Sequence, residues 1–243
     1  MKMHINGKYS ELQPFIRELP SLFSTFGDVL YEGRNTIKVF KVNDMLINVK
    51  SFKNPIFINR VVYRFFRKSK AERSFNYALR LLDRNVNTPE PVAYVEILEN
   101  GLFTRSYYVS VHEIVDGTMK DIYHQSADES RDLVKAFTLF TARLHDKGIF
   151  HKDYSPGNIL YRKNVAGYEF LLVDLNRIKF KRMNIFDSCR SFCKIRIDVN
   201  MQNFIAKEYA KVRKFNKNIC QALINYYNRL FWKKYLVRHP DNN

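Results

Sequence analysis

After Asp116-Gly117 the prevailing hydrophobic period of this chain turns from strand to helix, and that change limits the folds open to it. Before it lie short stretches rich in β-branched and aromatic residues: DVLYEG (28–33), TIKVFKV (36–42) and DMLINVKSF (44–52). The turn-formers Gly33-Arg34-Asn35 and Asn43-Asp44 separate them, so they read as strands of an antiparallel meander. TPEPVAYVEIL (88–98) and SYYVSVHEIV (106–115) give two further strands. Prolines open the first of these and mark its start or edge, since proline cannot donate to a ladder. Among the strands of the first hundred residues one helix is expected, over 69–85. There Phe75, Leu79 and Leu82 recur at helical spacing behind the N-cap candidate Ser69.

Beyond Asp116-Gly117 the period is helical. Leu133, Phe137, Phe140 and Leu144 define an apolar face over about 128–147, and Gly148 is placed to stop that helix. Two short strands follow, NILY (158–161) and YEFLLVDL (168–175). The remainder, from about 185, reads as helical, with Ile219, Leu223, Tyr226 and Leu230 as its last core face. The expected class is α+β: an antiparallel β-rich lobe over about 1–113, a connector over about 113–118, and a mainly helical lobe over about 118–243.

With 46% hydrophobic residues the chain can build a core, which excludes global disorder. Its 41 Lys and Arg against 24 Asp and Glu give a formal charge of +17, which favours polyanionic partners. From Arg177 to Arg238 there are 16 Lys and Arg but only three acids, Asp187, Asp198 and Glu208. A second basic stretch, NRVVYRFFRKSKAERSF (59–75), interleaves arginines with aromatics; solvated helix faces are the plain alternative for either cluster. Cys189, Cys193 and Cys220 show no paired metal spacing and read as reduced structural thiols. The N-terminal MKMHINGKYSELQPF lacks the apolar stretch of a signal peptide. No segment approaches the roughly 18 apolar residues needed to span a bilayer. A cytoplasmic protein, soluble or peripheral, is expected.

The segment HKDYSPGNIL (151–160) puts a histidine, an aspartate and an asparagine into one polar loop. Its Ser, Pro and Gly are turn residues, so a capped turn is the simplest reading of the loop alone. The rest of the chain supplies what phosphoryl transfer from ATP requires. A hydroxyl acceptor needs a carboxylate to orient it and take its proton, and Asp153 is available. Magnesium needs hard oxygen ligands. Asn158, five positions on, and Asp174, ending the apolar strand FLLVD, offer them. A lysine must hold the phosphates; Lys50 lies inside the otherwise apolar LINVKSF, where a charge is costly unless paired. Glu72 on the next helix is a candidate partner, with Asn76 one turn further as the alternative position. His151 reads as a residue bracing the loop, and Glu113, at the connector, as a place for backbone contacts to adenine.

HKDYSPGNILY followed by FLLVDLNRIKF resembles the HxDxxxxN catalytic loop and the metal-binding aspartate of protein-kinase-like enzymes. INVKSF resembles their strand lysine motif, and EGRNT a reduced glycine-rich turn. More narrowly, Asp174-Leu175-Asn176-Arg177, the TPEPVAYV strand and RFFRKSKAERSF resemble the bacterial lipopolysaccharide kinases of the Kdo/heptose kinase family. The resemblance runs from about Tyr31 to Phe180; the C-terminal helices match in basic character only. It implies a two-lobed protein-kinase-like fold with ATP and Mg2+ as cofactors. Asp153 would be the base, Asn158 and Asp174 the metal ligands, and Lys50 the contact to the α/β-phosphates. Glu72, Gly33 and Glu113 complete the nucleotide-binding set.

The implied acceptor is a Kdo or heptose hydroxyl of an anionic glycolipid (lipid A-core), met at the cytoplasmic face of the inner membrane, with no specific nucleic-acid partner. Departures from the family pattern sharpen the expectation. Only Gly33 remains of the glycine-rich loop, Leu175-Asn176 replaces the usual Phe-Gly after Asp174, and no Ala-Pro-Glu segment follows. Another kinase-fold enzyme with a protein or small-molecule acceptor, or a dead kinase fold serving as a binding module, are the alternatives.

Overall fold

The computed structural model of the 243-residue chain describes residues 1–52, 68–124 and 127–240. The 59–67 part of the expected basic-aromatic stretch lies outside the described residues. The chain divides into two compact units, Met1–Ile114 and Val115–Asn243.

Among the described residues the first unit has six strands: β1 (Lys2–Ile5), β2 (Asp28–Glu32), β3 (Asn35–Val42), β4 (Met45–Phe52), β5 (Pro91–Glu99) and β6 (Leu102–Val111). They form one antiparallel sheet in the order β1-β5-β6-β4-β3-β2. Pro91 is the first residue of β5, where its missing amide costs no interior ladder bond. The strand period of two divides each strand between the faces. Ile47 and Val49 of β4, with Val92, Val95, Tyr107 and Val109, are buried with Ile16, Leu19 and Phe23 of α1 (Gln13–Thr25). Phe52 of β4, with Tyr94 and Tyr108, is buried with Ala71 and Phe75 of α2 (Lys70–Leu82). Ser69 caps α2 as expected, accepting from the Glu72 amide at 3.0 Å.

β1 and α1 correct the expectation of one helix among the strands before residue 100. Ile16, Leu19 and Phe23 do keep helical spacing, and Pro14 sits in the first turn, where its missing amide is harmless. Pro20 inside the helix removes an interior hydrogen bond and hides the signal. Tertiary burial overrides that loss: fully burying each of the three side chains is worth about 1.5–3 kcal/mol.

The second unit opens with β7 (Gly117–Thr118), then α3 (Ala127–Asp146), β8 (Ile149–His151), β9 (Ile159–Asn164), β10 (Gly167–Leu172) and β11 (Ile178–Phe180). β9 pairs with β10 and with β7, while β8 pairs with β11. Helices α4 (Ile185–Arg190), α5 (Val199–Arg213) and α6 (Lys217–Arg238) follow. Leu133, Phe137 and Leu144 are buried on α3, as their spacing predicts. Gly148 ends the helix at φ +68°, and a Cβ there would meet the Lys181 carbonyl at 3.0 Å.

The last helix corrects the expected core face. Ile219 and Tyr226 are exposed, and the buried residues are Cys220, Ile224 and Asn228. The Asn228 amide sets this rotation: it donates to the carbonyls of Ile195 (2.6 Å) and Cys193 (3.3 Å) and accepts from Gln202 (3.2 Å). Buried without those partners, that amide would cost about 1–3 kcal/mol.

At the start of the second unit Thr118 and Asp121 form a capping box, and Tyr161 donates to Asp121 at 2.8 Å. A Cβ on Gly117 would lie 2.0 Å from the Asp121 carboxylate and 2.8 Å from the Tyr161 hydroxyl. Gly117→Ala is therefore expected to break the box and destabilise the protein by about 2 kcal/mol. A thermal melt checks it, with Gly101→Ala, at a glycine with open space around it, as the strained but unclashed comparison.

Candidate active site

Two antiparallel pairings position the loop. β8 and β11 place His151 opposite Ile178, and β9 and β10 place Ile159 opposite Leu172. The loop 152–158 leaves one pairing and enters the other, so its two ends are fixed. The bond from the Val173 amide to the Asn158 carbonyl (3.1 Å) then sets Asp174 beside the loop.

His151 is buried and braces this arrangement. Its Nδ1 accepts from the Asp153 amide at 3.1 Å, so its Nε2 carries the proton and donates to the Val173 carbonyl at 3.1 Å. Burial pushes its pKa down, against the carbonyl hydrogen bond and the nearby Asp174 and Asp153, which keeps the imidazole neutral in its bracing role. Tyr154 anchors the loop from below. Thr141 donates to the Phe137 carbonyl (2.8 Å), so the Tyr154 hydroxyl donates to Thr141 (2.9 Å), and its ring stacks on Phe137 at 5.7 Å.

The Asn158 amide nitrogen donates to the Asp153 carbonyl at 2.9 Å, which turns the amide oxygen to the other side. Asp174 adopts the left-handed conformation, φ 56° and ψ 50°, at a cost of about 1–2 kcal/mol for a residue other than glycine. The Asn176 amide nitrogen holds its Oδ1 at 2.7 Å. A carboxylate held in a strained backbone beside an oriented amide oxygen is a donor set of two hard oxygens. That set suits magnesium, which takes only one or two protein ligands when phosphates and water supply the rest. Among the described residues no three His, Cys, Asp or Glu side chains converge as a closed metal site.

The sequence reading missed the cations around Asp153. Lys194, in the 3-10 turn Ser191–Lys194, is ion-paired with its Oδ1. Arg177, just before β11, reaches its Oδ2 at 3.2 Å. Burial on its own would raise the Asp153 pKa. The hydrogen bond and charge of Lys194, with the charge of Arg177, outweigh it and hold the carboxyl below the ordinary aspartate range. Lys194 also lies over the Phe231 ring of α6 at 5.7 Å. Arg177 was visible in the DLNR stretch, three positions after Asp174. Lys194 is 41 positions from Asp153 and carries no local signal.

The nucleotide-side candidates lie elsewhere. Lys50 sits on β4 opposite Ile37 and Tyr108, its ammonium 5.4 Å from the Phe52 ring centroid, on the face of the sheet that α2 covers. Gly33 occupies the β2–β3 turn, with the Tyr31 hydroxyl 2.6 Å from where a Cβ would stand. Glu113 falls at the end of the first unit. Glu72, the expected partner of Lys50, is ion-paired with Lys68 at 3.2 Å and with Lys2 at 3.8 Å. Lys68 stands four positions before it, ahead of the N-cap Ser69, and β1 delivers Lys2. Asp153, Asn158 and Asp174 are thus brought together within the second unit, while Lys50, Glu72 and Gly33 belong to the first.

Comparison with solved structures bears on the fold. The chain is similar to WaaP in complex with acyl carrier protein at TM-score 0.60 and 15% identity, covering 94% of this chain and 98% of that one. It also matches a MAP kinase from Leishmania major, LmaMPK10, at TM-score 0.45 and 17% identity, covering 81% of this chain and 60% of that one. No curated protein sequence matches it. The fold is protein-kinase-like, with an antiparallel sheet in its first unit and a mainly helical second unit. A family model, Lipopolysaccharide kinase (Kdo/WaaP) family, matches residues 30–227. The chain belongs to that family, whose chemistry is that of a kinase phosphotransferase.

Proposed function

We propose that the protein transfers the γ-phosphoryl group of ATP to a sugar hydroxyl, Kdo or heptose, in the inner core of lipopolysaccharide. The observation that carries this reading is the assembly of Asp153, Asn158 and Asp174 in one braced loop system, with the Asp153 carboxylate held ionised by Lys194 and Arg177. An ionised carboxylate can orient the acceptor hydroxyl and take its proton as the oxygen attacks the γ-phosphorus. The bond to the β-phosphate breaks and ADP leaves. Asn158 and Asp174 are the residues that would hold Mg2+, which when bound supplies positive charge to the phosphate oxygens. Lys50 is carried over as the phosphate-holding lysine and Glu113 as the adenine-side position, both by family likeness. Gly33 would form the remnant of the phosphate-covering turn. Glu72, tied to Lys68 and Lys2, is the least supported member of the set.

Such an acceptor would be anionic and membrane-borne, which agrees with the +17 charge, and an enzyme acting on it would work at the cytoplasmic face of the inner membrane. No helix among the described residues is long and apolar enough to cross a membrane, so attachment would be peripheral. By the same likeness, acyl carrier protein is a partner to test by co-purification. Labelled Mg-ATP, offered separately with a Kdo-bearing lipid A precursor, a heptose-bearing core and a generic protein, tests the acceptor. Label is expected on one of the glycolipids; label on the protein alone, or on none of the three, would overturn the reading.

A further inference from the structure

We infer that the outward face of α6 is a docking surface for an anionic lipid bilayer. Asn228, bonded to three partners, locks the helix so that Cys220 and Ile224 point inward. Everything a helical half-turn away is thereby forced out. Ile219, Ala222, Tyr226, Arg229, Lys233 and Val237 are all exposed and recur at steps of three and four, which makes them one stripe. Ile219 is 49% exposed, Tyr226 59% and Val237 78%. Such residues are normally scattered singly on a soluble surface, whereas here three share a stripe with two cations.

Charge identifies the occupant. Between Tyr209 and Pro240 the chain has eight Lys and Arg and no Asp or Glu. Arg213 is consumed by Asp146 at 3.0 Å; Lys217, Arg229, Lys233, Lys234 and Arg238 are exposed on α6 itself. Cations alone would suit any polyanion. Cations interleaved with isoleucine, tyrosine and valine along a 22-residue helix suit the headgroup region, where lysines meet lipid phosphates and the apolar side chains enter the acyl boundary. A nucleic acid would leave the aliphatic side chains in water. The same helix supplies the Phe231 ring beneath Lys194, so the docked element also touches the cation that holds Asp153.

The inference rests on the proposed acceptor being membrane-borne, but its test contains no acceptor and no nucleotide, so the two can fail separately. The full chain is sedimented with vesicles of phosphatidylcholine alone and with vesicles containing phosphatidylglycerol. Binding is expected only to the second and is expected to fall with salt. Lys233→Gln with Lys234→Gln should weaken it about thirtyfold, at about fivefold per basic residue near an anionic surface. Ile219→Ser with Tyr226→Ser and Val237→Ser should also weaken it while leaving the salt dependence in place. All five positions are exposed, and unchanged thermal melts would verify that the variants fold. Binding indifferent to lipid charge, or untouched by both variants, would overturn the inference. So would displacement by a duplex oligonucleotide with the apolar variant unimpaired, which would assign the face to nucleic acid instead.

Discussion

Asp153→Asn is expected to lower kcat by about 10²–10⁴-fold, the range supplied by a positioned general base, with the KM for ATP close to that of the wild type. Asparagine keeps the shape and can still receive a hydrogen bond from Lys194 or Arg177, but it cannot take the acceptor's proton. The backbone contacts that hold the loop do not involve the Asp153 side chain. They run from the Asp153 amide to His151 and from Asn158 to the Asp153 carbonyl, so the loop itself should persist. The cost to folding is the loss of one charge between two cations, which makes Asn preferable to Ala and a thermal melt a necessary companion. Steady-state kinetics with the glycolipid acceptor provide the measurement. A variant within tenfold of wild type would remove Asp153 from the role of base.

That prediction can be made because the loop is legible from sequence. A histidine, an aspartate and an asparagine at fixed short spacing all act within one turn and one flanking strand pair. The bonds that join them span at most 22 positions. What the sequence hid are features whose partners are remote or whose local rules conflict. Helix α1 carries a proline inside it, and only its burial against Ile47, Val95 and Tyr107 outweighs the broken hydrogen bond. The face of α6 was misjudged because a hydrophobic count favours Ile219 and Tyr226, whereas the polar Asn228 decides the rotation through carbonyls more than 30 positions away. β8 and β11 have three residues each, too short for a period to show. The Glu72–Lys2 ion pair depends on β1, a strand remote in the chain, and so leaves no local signal. The strand order, by contrast, was half written in the turns: β2, β3 and β4 neighbour one another in sequence and in the sheet.

Lys194→Met is expected to lower kcat about 10²-fold and to move the acid limb of the kcat–pH profile to higher pH. The sign follows from the balance of forces on Asp153. Burial favours the neutral acid; the Lys194 hydrogen bond and charge, assisted by Arg177, reverse that and keep the folded pKa below its ordinary value. Removing Lys194 leaves Arg177, half-exposed and at 3.2 Å, as the remaining counter-charge. Burial then counts for more, and the carboxyl protonates at a higher pH than in the wild type. The drop in kcat at neutral pH has a separate origin, because a carboxylate released from one of its two clamps no longer points at one place. Misplacement of a reacting group by about 1 Å costs on the order of 10²-fold. Methionine keeps the stem over Phe231 and so separates charge from packing. Lys194→Arg should return the acid limb toward its wild-type position, since it restores the cation, and should recover part of kcat. A residue that merely stabilised the turn after α4 would lower activity through unfolding, leave the limb where it was, and gain nothing specific from arginine. A fall in kcat with an unmoved acid limb in both variants would therefore reduce Lys194 to a packing role and leave Arg177 as the group that sets the state of the base.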